Sequence, residues 1–189
     1  MIQTPRLTLR LLQSDDAVWV AQEIARPEVH QWLTTPPRPY GLEDARSFVK
    51  RNSSDPWYRV IVLDDRPCGI VSVTKGRHGK DVSDLGYWLS PNVWGKGVMT
   101  EAATALLQLT FADEEKVESG WIKGNAASQN VLSKLGFQQT GETRLIWSHY
   151  HGSDLPVIRV HLDRASWAEV SRAHAIANAR ASGEESPNK

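Results

Sequence analysis

The chain has 189 residues and a single cysteine, Cys68. No internal disulfide can form, and the compartment this favours is the reducing cytoplasm. Cys68 sits between Pro67 and Gly69 ahead of an apolar run. With no activating base nearby in sequence, it fits a buried small hydrophobe better than a nucleophile. Net charge is also lacking, because 22 Lys and Arg offset 22 Asp and Glu. No long-range attraction to nucleic acid or to a membrane surface is therefore expected. No apolar run approaches the ~20 residues needed to cross a bilayer. The opening "MIQTPRLTLRLLQSDDA" has no apolar core of the kind a signal peptide carries. Internal repeats are absent, and so is any Gly/Ser/Pro-rich linker that would split the chain.

The remaining composition is that of one domain with a sizeable core. The eight tryptophans are many for this length, and they suit either core or pocket lining. "RLTLRLL" alternates as a strand. Ser14 is placed as the cap of a helix running to Ile24, with Asp15 and Asp16 in its first turn. "PEVHQWL" suggests a short helix, "TTPPRPYG" a proline-stiffened loop and "LEDARSFVKR" a helix. "WYRVIVL" and "CGIVSVT" form two strands about the turn "DDRP". "KGRHGKD" is expected to be a polar loop, followed by the strand "VSDLGYWLS". A helix after Gly97 places Met99, Ala102, Ala103, Leu106 and Leu107 on one face. "VESGWIK" is a strand. Asn125 caps the next helix, which carries Ala127, Val131 and Leu135 on one face and ends at Gly136. Two antiparallel strands about the turn "HGSD" close the order. Ser166 and Glu169 have capping-box spacing for a helix over 166–181. Residues 1–165 are thus expected as the α/β domain, 166–181 as a C-terminal helix and 182–189 as a disordered tail.

Within "GYWLSPNVWGKGVMTEA" two glycines stand one residue apart, Gly95 and Gly97, between a strand and a helix. The plainer account is a tight turn. The functional one is a backbone that lets a bulky anion approach the exposed N–H groups and positive dipole end of the helix. A helix terminus contributes roughly 0.3–1 kcal/mol, up to ~2, whereas micromolar binding needs about 8 kcal/mol. Several N–H bonds to a diphosphate, at about 1.5–3 kcal/mol each, could close that gap. Two common phosphate motifs do not match: Gly97 follows Lys96 where a P-loop needs Ser or Thr, and the third glycine of the dinucleotide fingerprint is missing.

"DLGYWLSPNVWGKGVMTEA", followed by "GNAASQNVLSKLGF", closely resembles the GNAT superfamily of acetyl-CoA-dependent N-acetyltransferases. The nearest likeness is to the branch of ribosomal-protein N-terminal acetyltransferases, which the opening "TPRLTLRLL…DDA" also fits. The resemblance spans residues 2–163. It implies an α/β GNAT fold, a mixed and mostly antiparallel sheet with a splayed strand pair flanked by helices, and it implies acetyl-CoA as the acyl donor. The family's diphosphate loop falls on Trp94, Gly95, Lys96, Gly97, Val98 and Met99, with Thr100 in the following turn. Trp94 and Met99 depart from the family pattern. Pantetheine would pair along the backbone of Trp88, Leu89 and Ser90, where an N–H would hold the thioester oxygen. Asn125, Asn130 and Lys134 are further candidates to touch the coenzyme.

Direct attack by an amine needs a neutral nitrogen and a donor for the departing thiolate. Asp84 is the candidate for helping to deprotonate the amine. To work near pH 7 it would have to be raised by roughly three units from a free value near 3.9, so a water relay or a plain ion pair competes with that role. Where many GNAT enzymes carry a donor tyrosine this chain has Leu132, and the branch resemblance implies Ser128 instead. His30, Trp32, Tyr40, Trp147 and His149 are the acceptor-cleft candidates, with packing as the plainer account for the first three. Trp147 replaces an acidic residue of the branch. "HYH…D" could suggest metal ligands, but this spacing is more often surface, and no metal is expected. The resemblance implies a primary amine as acceptor, on a protein N-terminus or a small molecule. A polyamine, amino-acid or antibiotic acetylase and a catalytically idle acyl-CoA-binding module remain as alternatives. No direct nucleic-acid partner is expected, and a homodimer is left open.

Overall fold

A computed structural model describes residues 1–75 and 82–181. The expected polar loop at 75–81 falls almost wholly outside these residues, and the expected tail at 182–189 falls outside them entirely. The order is β1 (Ile2–Gln3), β2 (Leu7–Arg10), α1 (Asp16–Ile24), α2 (Pro27–His30), α3 (Leu42–Asn52), β3 (Tyr58–Leu63), β4 (Arg66–Thr74), β5 (Ser83–Leu89), α4 (Val98–Asp113), β6 (Lys116–Ile122), α5 (Ala126–Lys134), β7 (Gln138–Ser148), β8 (Ser153–Asp163) and α6 (Arg164–Ala181). The strands make one sheet in the order β1-β2-β3-β4-β5-β6-β8-β7. Every neighbouring pair is antiparallel except β5 and β6. Among the described residues no helix is long and apolar enough to cross a membrane.

Strand periodicity divides the core into two layers. On β3 and β4, Val60 and Ile70 turn to one face and pack with Val20 and Ile24 of α1 and with Ala45 and Val49 of α3. Their neighbours Ile61, Val71 and Val73 turn to the other face, against Ala102, Ala103, Leu106 and Leu107 of α4. This is the period-two split of a sheet covered on both sides. Fully burying each such side chain contributes about 1.5–3 kcal/mol. α6 joins the α4 layer, where Trp167 stacks on Phe111 with ring centroids 5.7 Å apart.

Several local details differ from expectation. Ser14 makes no cap. Asp16 instead holds the start of α1, accepting from the Gln13 N–H at 2.7 Å and pairing bidentately with Arg10 of β2 at 2.7 Å on each oxygen. A carboxylate clamped to a strand arginine outcompetes an exposed serine. The last helix begins at Arg164 rather than 166, because Asp163 accepts from the Ser166 N–H at 2.8 Å and takes the capping role. The β3–β4 turn is only Asp64–Asp65, both at positive φ (49° and 58°), which lets Arg66 and Pro67 enter β4. The last hairpin turns at residues 149–152, two positions earlier than "HGSD" suggests. Ala127 is exposed, and the buried face of α5 is Leu132 and Leu135.

Candidate active site

β5 and β6 run parallel for only two residue pairs, Ser83↔Val117 and Asp84↔Glu118. Ser119 Oγ then donates to the Leu85 carbonyl at 2.8 Å, a side-chain stitch beyond the last backbone pair. Past that point the strands diverge, and a cleft of about 760 Å³ opens between them. Its walls come from β5, the start of α4, the end of β6, α5, the α2–α3 loop and the β7–β8 hairpin.

The two glycines enter this cleft with φ of +73° each. Only glycine adopts this left-handed conformation without strain. A Cβ on Gly95 would meet nothing within 4 Å, so open space lies over it. The first intrahelical bond of α4 runs from the Glu101 N–H to Gly97 O at 3.0 Å. The N–H groups of Val98, Met99 and Thr100 therefore precede the ladder at the cleft wall, with the positive end of a 16-residue helix behind them. The turn is lashed from outside by Arg6, which donates to Lys96 O at 3.1 Å and to Glu101 Oε2 at 2.7 Å. Glu101 also takes the Thr4 hydroxyl at 2.6 Å and the Arg6 N–H at 3.0 Å. Burial raises the Glu101 carboxyl, but these donors together outweigh it and leave it below the usual range. These backbone donors and the open space over Gly95 could hold an anion with several oxygens.

Alternation along β5 decides which backbone groups a ligand can reach. The Ser90 N–H donates to Cys68 O at 2.8 Å, so Ser90 and, two residues back, Trp88 face β4. Tyr87 and Leu89 face the open edge. Ser90 is buried and does not line the cleft, so the expected backbone contact there moves to Leu89 and Tyr87. The indole Nε1 of Trp94 donates to Leu89 O at 2.9 Å and closes the strand end. Trp88 lines the cleft and stacks on Trp19 of α1, with centroids 5.2 Å apart. Lys96 lies outside the cleft, its carbonyl taken by Arg6.

On the opposite wall Asn125 Oδ1 accepts from the Ser128 N–H at 3.0 Å, the N-cap of α5. Ser128, Asn130 and Lys134 follow along the cleft side of that helix. Ser128 Oγ lies 2.9 Å from the phenol oxygen of Tyr87, a cleft residue that sequence reasoning did not single out. Leu132 is 1% exposed and packs in the core.

At the apex of the splay Asp84 is 7% exposed, and its Oδ2 receives the Arg159 guanidinium at 2.6 Å. The same nitrogen reaches Glu118 Oε2 at 3.3 Å. Of the roles weighed for Asp84, the ion pair is the one its contacts display. Arg159 stands 75 residues away in sequence, and no spacing rule could have joined the two.

The acceptor candidates divide. Trp32, Trp147 and His149 line the cleft. His30 and Tyr40 do not. His30 is 3% exposed, its Nε2 lies 3.2 Å from Pro36 O, and its ring packs against Tyr40 and Tyr150 at 6.4 and 5.2 Å. Burial lowers its pKa below the ordinary histidine value. Burial also raises Tyr40 to about 12, as befits a packed phenol. The hairpin is fastened to the α2–α3 loop by Arg38, which donates to Tyr150 O at 2.6 Å and sits 4.2 Å from the Tyr150 ring centroid. His151 Nε2 meets Gln31 O at 3.1 Å.

Residues 6–138 match the family model described as "Acetyltransferase (GNAT) domain". The chain belongs to the GNAT acetyltransferase family. Among its relatives is the Bacillus subtilis protein named "Putative ribosomal N-acetyltransferase YdaF", 26% identical over 152 residues that cover 73% of this chain and 81% of that one. The fold also matches a structure described as ribosomal-protein-S5-alanine acetyltransferase from Vibrio fischeri. That match has a TM-score of 0.71 and 21% identity, over 87% of this chain and 97% of the other. It further matches the microcin C7 self-immunity acetyltransferase MccE, solved with acetyl-CoA and AMP, with a TM-score of 0.72 and 20% identity over 85% and 93% of the two chains. The mixed sheet with its splayed pair is the GNAT architecture that the sequence led us to expect.

Proposed function

We propose that this GNAT protein moves the acetyl group of acetyl-CoA to a primary amine by direct attack, in the cytoplasm, and that the acceptor is a protein N-terminus. The observation that carries the reading is the pairing of two features in one cleft: N–H groups at the start of α4 that precede the helical ladder, and an edge of β5 that has no strand partner beyond the splay among the described residues. The first suits a diphosphate, and the second suits an extended amide chain that lies along the strand as an added partner. The relatives' names support acetyl transfer, and the name of YdaF supports a ribosomal protein as acceptor.

In this reading Gly95 and Gly97 shape the cradle, and the N–H groups of Val98, Met99 and Thr100 hold the diphosphate. Asn130 and Lys134 flank it from α5. The Leu89 N–H or Tyr87 N–H, on the open edge, polarises the thioester oxygen. When bound, acetyl-CoA supplies an activated acyl carbon and a thiol leaving group. Ser128 donates a hydrogen bond to the departing sulfur. An aliphatic hydroxyl is a far weaker acid than a thiol, whose pKa is about 8.5, so the serine stabilises developing charge rather than surrendering its proton outright. Because Arg159 already occupies Asp84 Oδ2, the amine's proton leaves through water, and Asp84 holds the apex of the splay. Trp32, Trp147 and His149 face the incoming amine.

The test is steady-state thiol release with acetyl-CoA and a panel of N-terminal peptides, polyamines, amino acids and aminoglycosides. Turnover on peptides over small amines is expected. Preference for a small amine would reassign the acceptor. Acetyl-CoA binding by calorimetry with no turnover on any amine would overturn the enzymatic reading.

A further inference from the structure

A serine hydroxyl is a useful donor only if its one proton points the right way. Ser128 Oγ has a neighbour that decides this. The phenol oxygen of Tyr87 lies 2.9 Å from Ser128 Oγ and 3.2 Å from the Ser128 carbonyl oxygen. Tyr87 has one proton to give. If it goes to the carbonyl, Ser128 must donate to the phenol and its proton is turned away from the cleft. If it goes to Oγ, the serine proton is left for a partner in the cleft. Both residues line the cleft, from opposite walls. The backbone of Ser128 is held independently, its N–H bonded to Asn125 Oδ1 at 3.0 Å. Strand alternation places Tyr87 on the open edge of β5, and its side chain packs against the α4-side core. The phenol is therefore presented by a strand and not by a mobile loop.

We propose that Tyr87 is a positioning residue for Ser128: its phenol donates to Ser128 Oγ and directs the serine proton into the cleft, where the departing sulfur would lie. The proposal rests on the acetyl-transfer reading above. No proton leaves Tyr87 in this step. Burial pushes its pKa well above the ordinary phenol value, so it remains a donor throughout the working pH range. The C–N bond forms as the C–S bond breaks, and the electron pair goes to sulfur. The amine's proton passes to solvent, and the Tyr87 and Ser128 hydroxyls keep theirs. Tyr87 thus acts on orientation alone, through the serine.

The experiment is a double-mutant cycle with Tyr87→Phe, which removes one oxygen and keeps the ring, and Ser128→Ala. In the native background Tyr87→Phe is expected to lower kcat about three- to tenfold, the range of one oriented hydrogen bond. The calorimetric Kd for acetyl-CoA should stay within about twofold. In the Ser128→Ala background the same change should have little effect on kcat, because the group it orients is gone. Equal losses of kcat in both backgrounds would overturn the proposal. So would a loss confined to Kd or to Tm, which is what a merely packing tyrosine would give. If Ser128→Ala alone leaves kcat unchanged, the proposal falls while acetyl transfer by the native chain still stands. If the native chain acetylates no amine, the acetyl-transfer reading itself falls and takes the proposal with it.

Discussion

Gly97→Val perturbs the cradle at one backbone angle. Gly97 has φ +73° and is the N-cap of α4. An L-residue there costs roughly 1–2 kcal/mol, more when β-branched. Little stands in the way of the side chain itself, since a Cβ would meet only Arg6 Nη2, and at 3.6 Å that is ordinary van der Waals contact. The strain is thus relieved most cheaply by letting the turn leave the left-handed region, and that rotation carries the N–H groups of Val98 and Met99 with it. Two N–H bonds to a charged diphosphate are worth at least about 3 kcal/mol together. Their loss weakens binding by more than a hundredfold at about 1.4 kcal/mol per decade, and partial relaxation still leaves about tenfold. Isothermal calorimetry with acetyl-CoA reads the affinity, and thermal unfolding reads the fold, which should still unfold cooperatively with a loss of a few kcal/mol at most, about the strain of a β-branched residue at this φ. Gly97→Asn is the control, because asparagine visits the left-handed region more readily than other side chains, so its binding should lie between native and Val. A folded Gly97→Val protein with native affinity would show that the α4 amides do not grip the ligand.

Arg159→Met is expected to destabilise the fold by about 3–5 kcal/mol in urea denaturation, since it takes the guanidinium at 2.6 Å away from the buried Asp84 carboxylate; a loss under about 1 kcal/mol would mean that water or another cation replaces it. His30 is buried and its pKa lies below the ordinary value. Its contribution is therefore fully present above the unfolded value near 6.5 and is lost as pH falls through the folded value. Stability measured from pH 7 downward should accordingly fall more steeply for the native chain than for His30→Phe, and parallel curves would refute the assignment.

The elements were legible because their signals are local. The apolar runs about the "DDRP" turn marked β3 and β4, and the spacing of Ala102, Ala103, Leu106 and Leu107 marked the buried face of α4. The Gly136 stop and the Asn125 cap lie where turn chemistry puts them. Errors arose where a nearby carboxylate outbid the serine that the spacing favoured. Asp16 starts α1 because Arg10 clamps it from β2, and Asp163, not Ser166, caps α6. The site shows the same division. Gly95 and Gly97 were found by spacing, although their positive φ would demand glycine with or without a ligand, which is why the motif alone left two accounts open. Arg159 beside Asp84 and Tyr87 beside Ser128 were invisible, for each pair is brought together only by the tertiary fold, across tens of residues. Ser90 and Lys96 were included because they sit within the motif, yet alternation and the Arg6 lash turn them away.

The cleft exists because β5 and β6 stop pairing, and the residues at that point explain why they stop. A parallel ladder would continue if the next backbone groups met one another. Instead Ser119 Oγ satisfies the Leu85 carbonyl, so separating the strands leaves no orphan acceptor at a buried position. One step below, Asp84 and Glu118 form the last backbone pair, and both carboxylates bind the guanidinium of Arg159 from β8. Two like charges opposite each other would repel, and the shared cation converts that repulsion into a pin that holds the two strands together at this level. Gly120, which follows Ser119 on β6, has no room for a Cβ, which would meet Ile158 O at 2.8 Å. β6 is therefore drawn tight against β8 as it leaves β5. A side-chain stitch, a charge pin and a glycine pressed to the far neighbour make the divergence a property of the folded chain itself, so the open edge of β5 is in place before any ligand arrives.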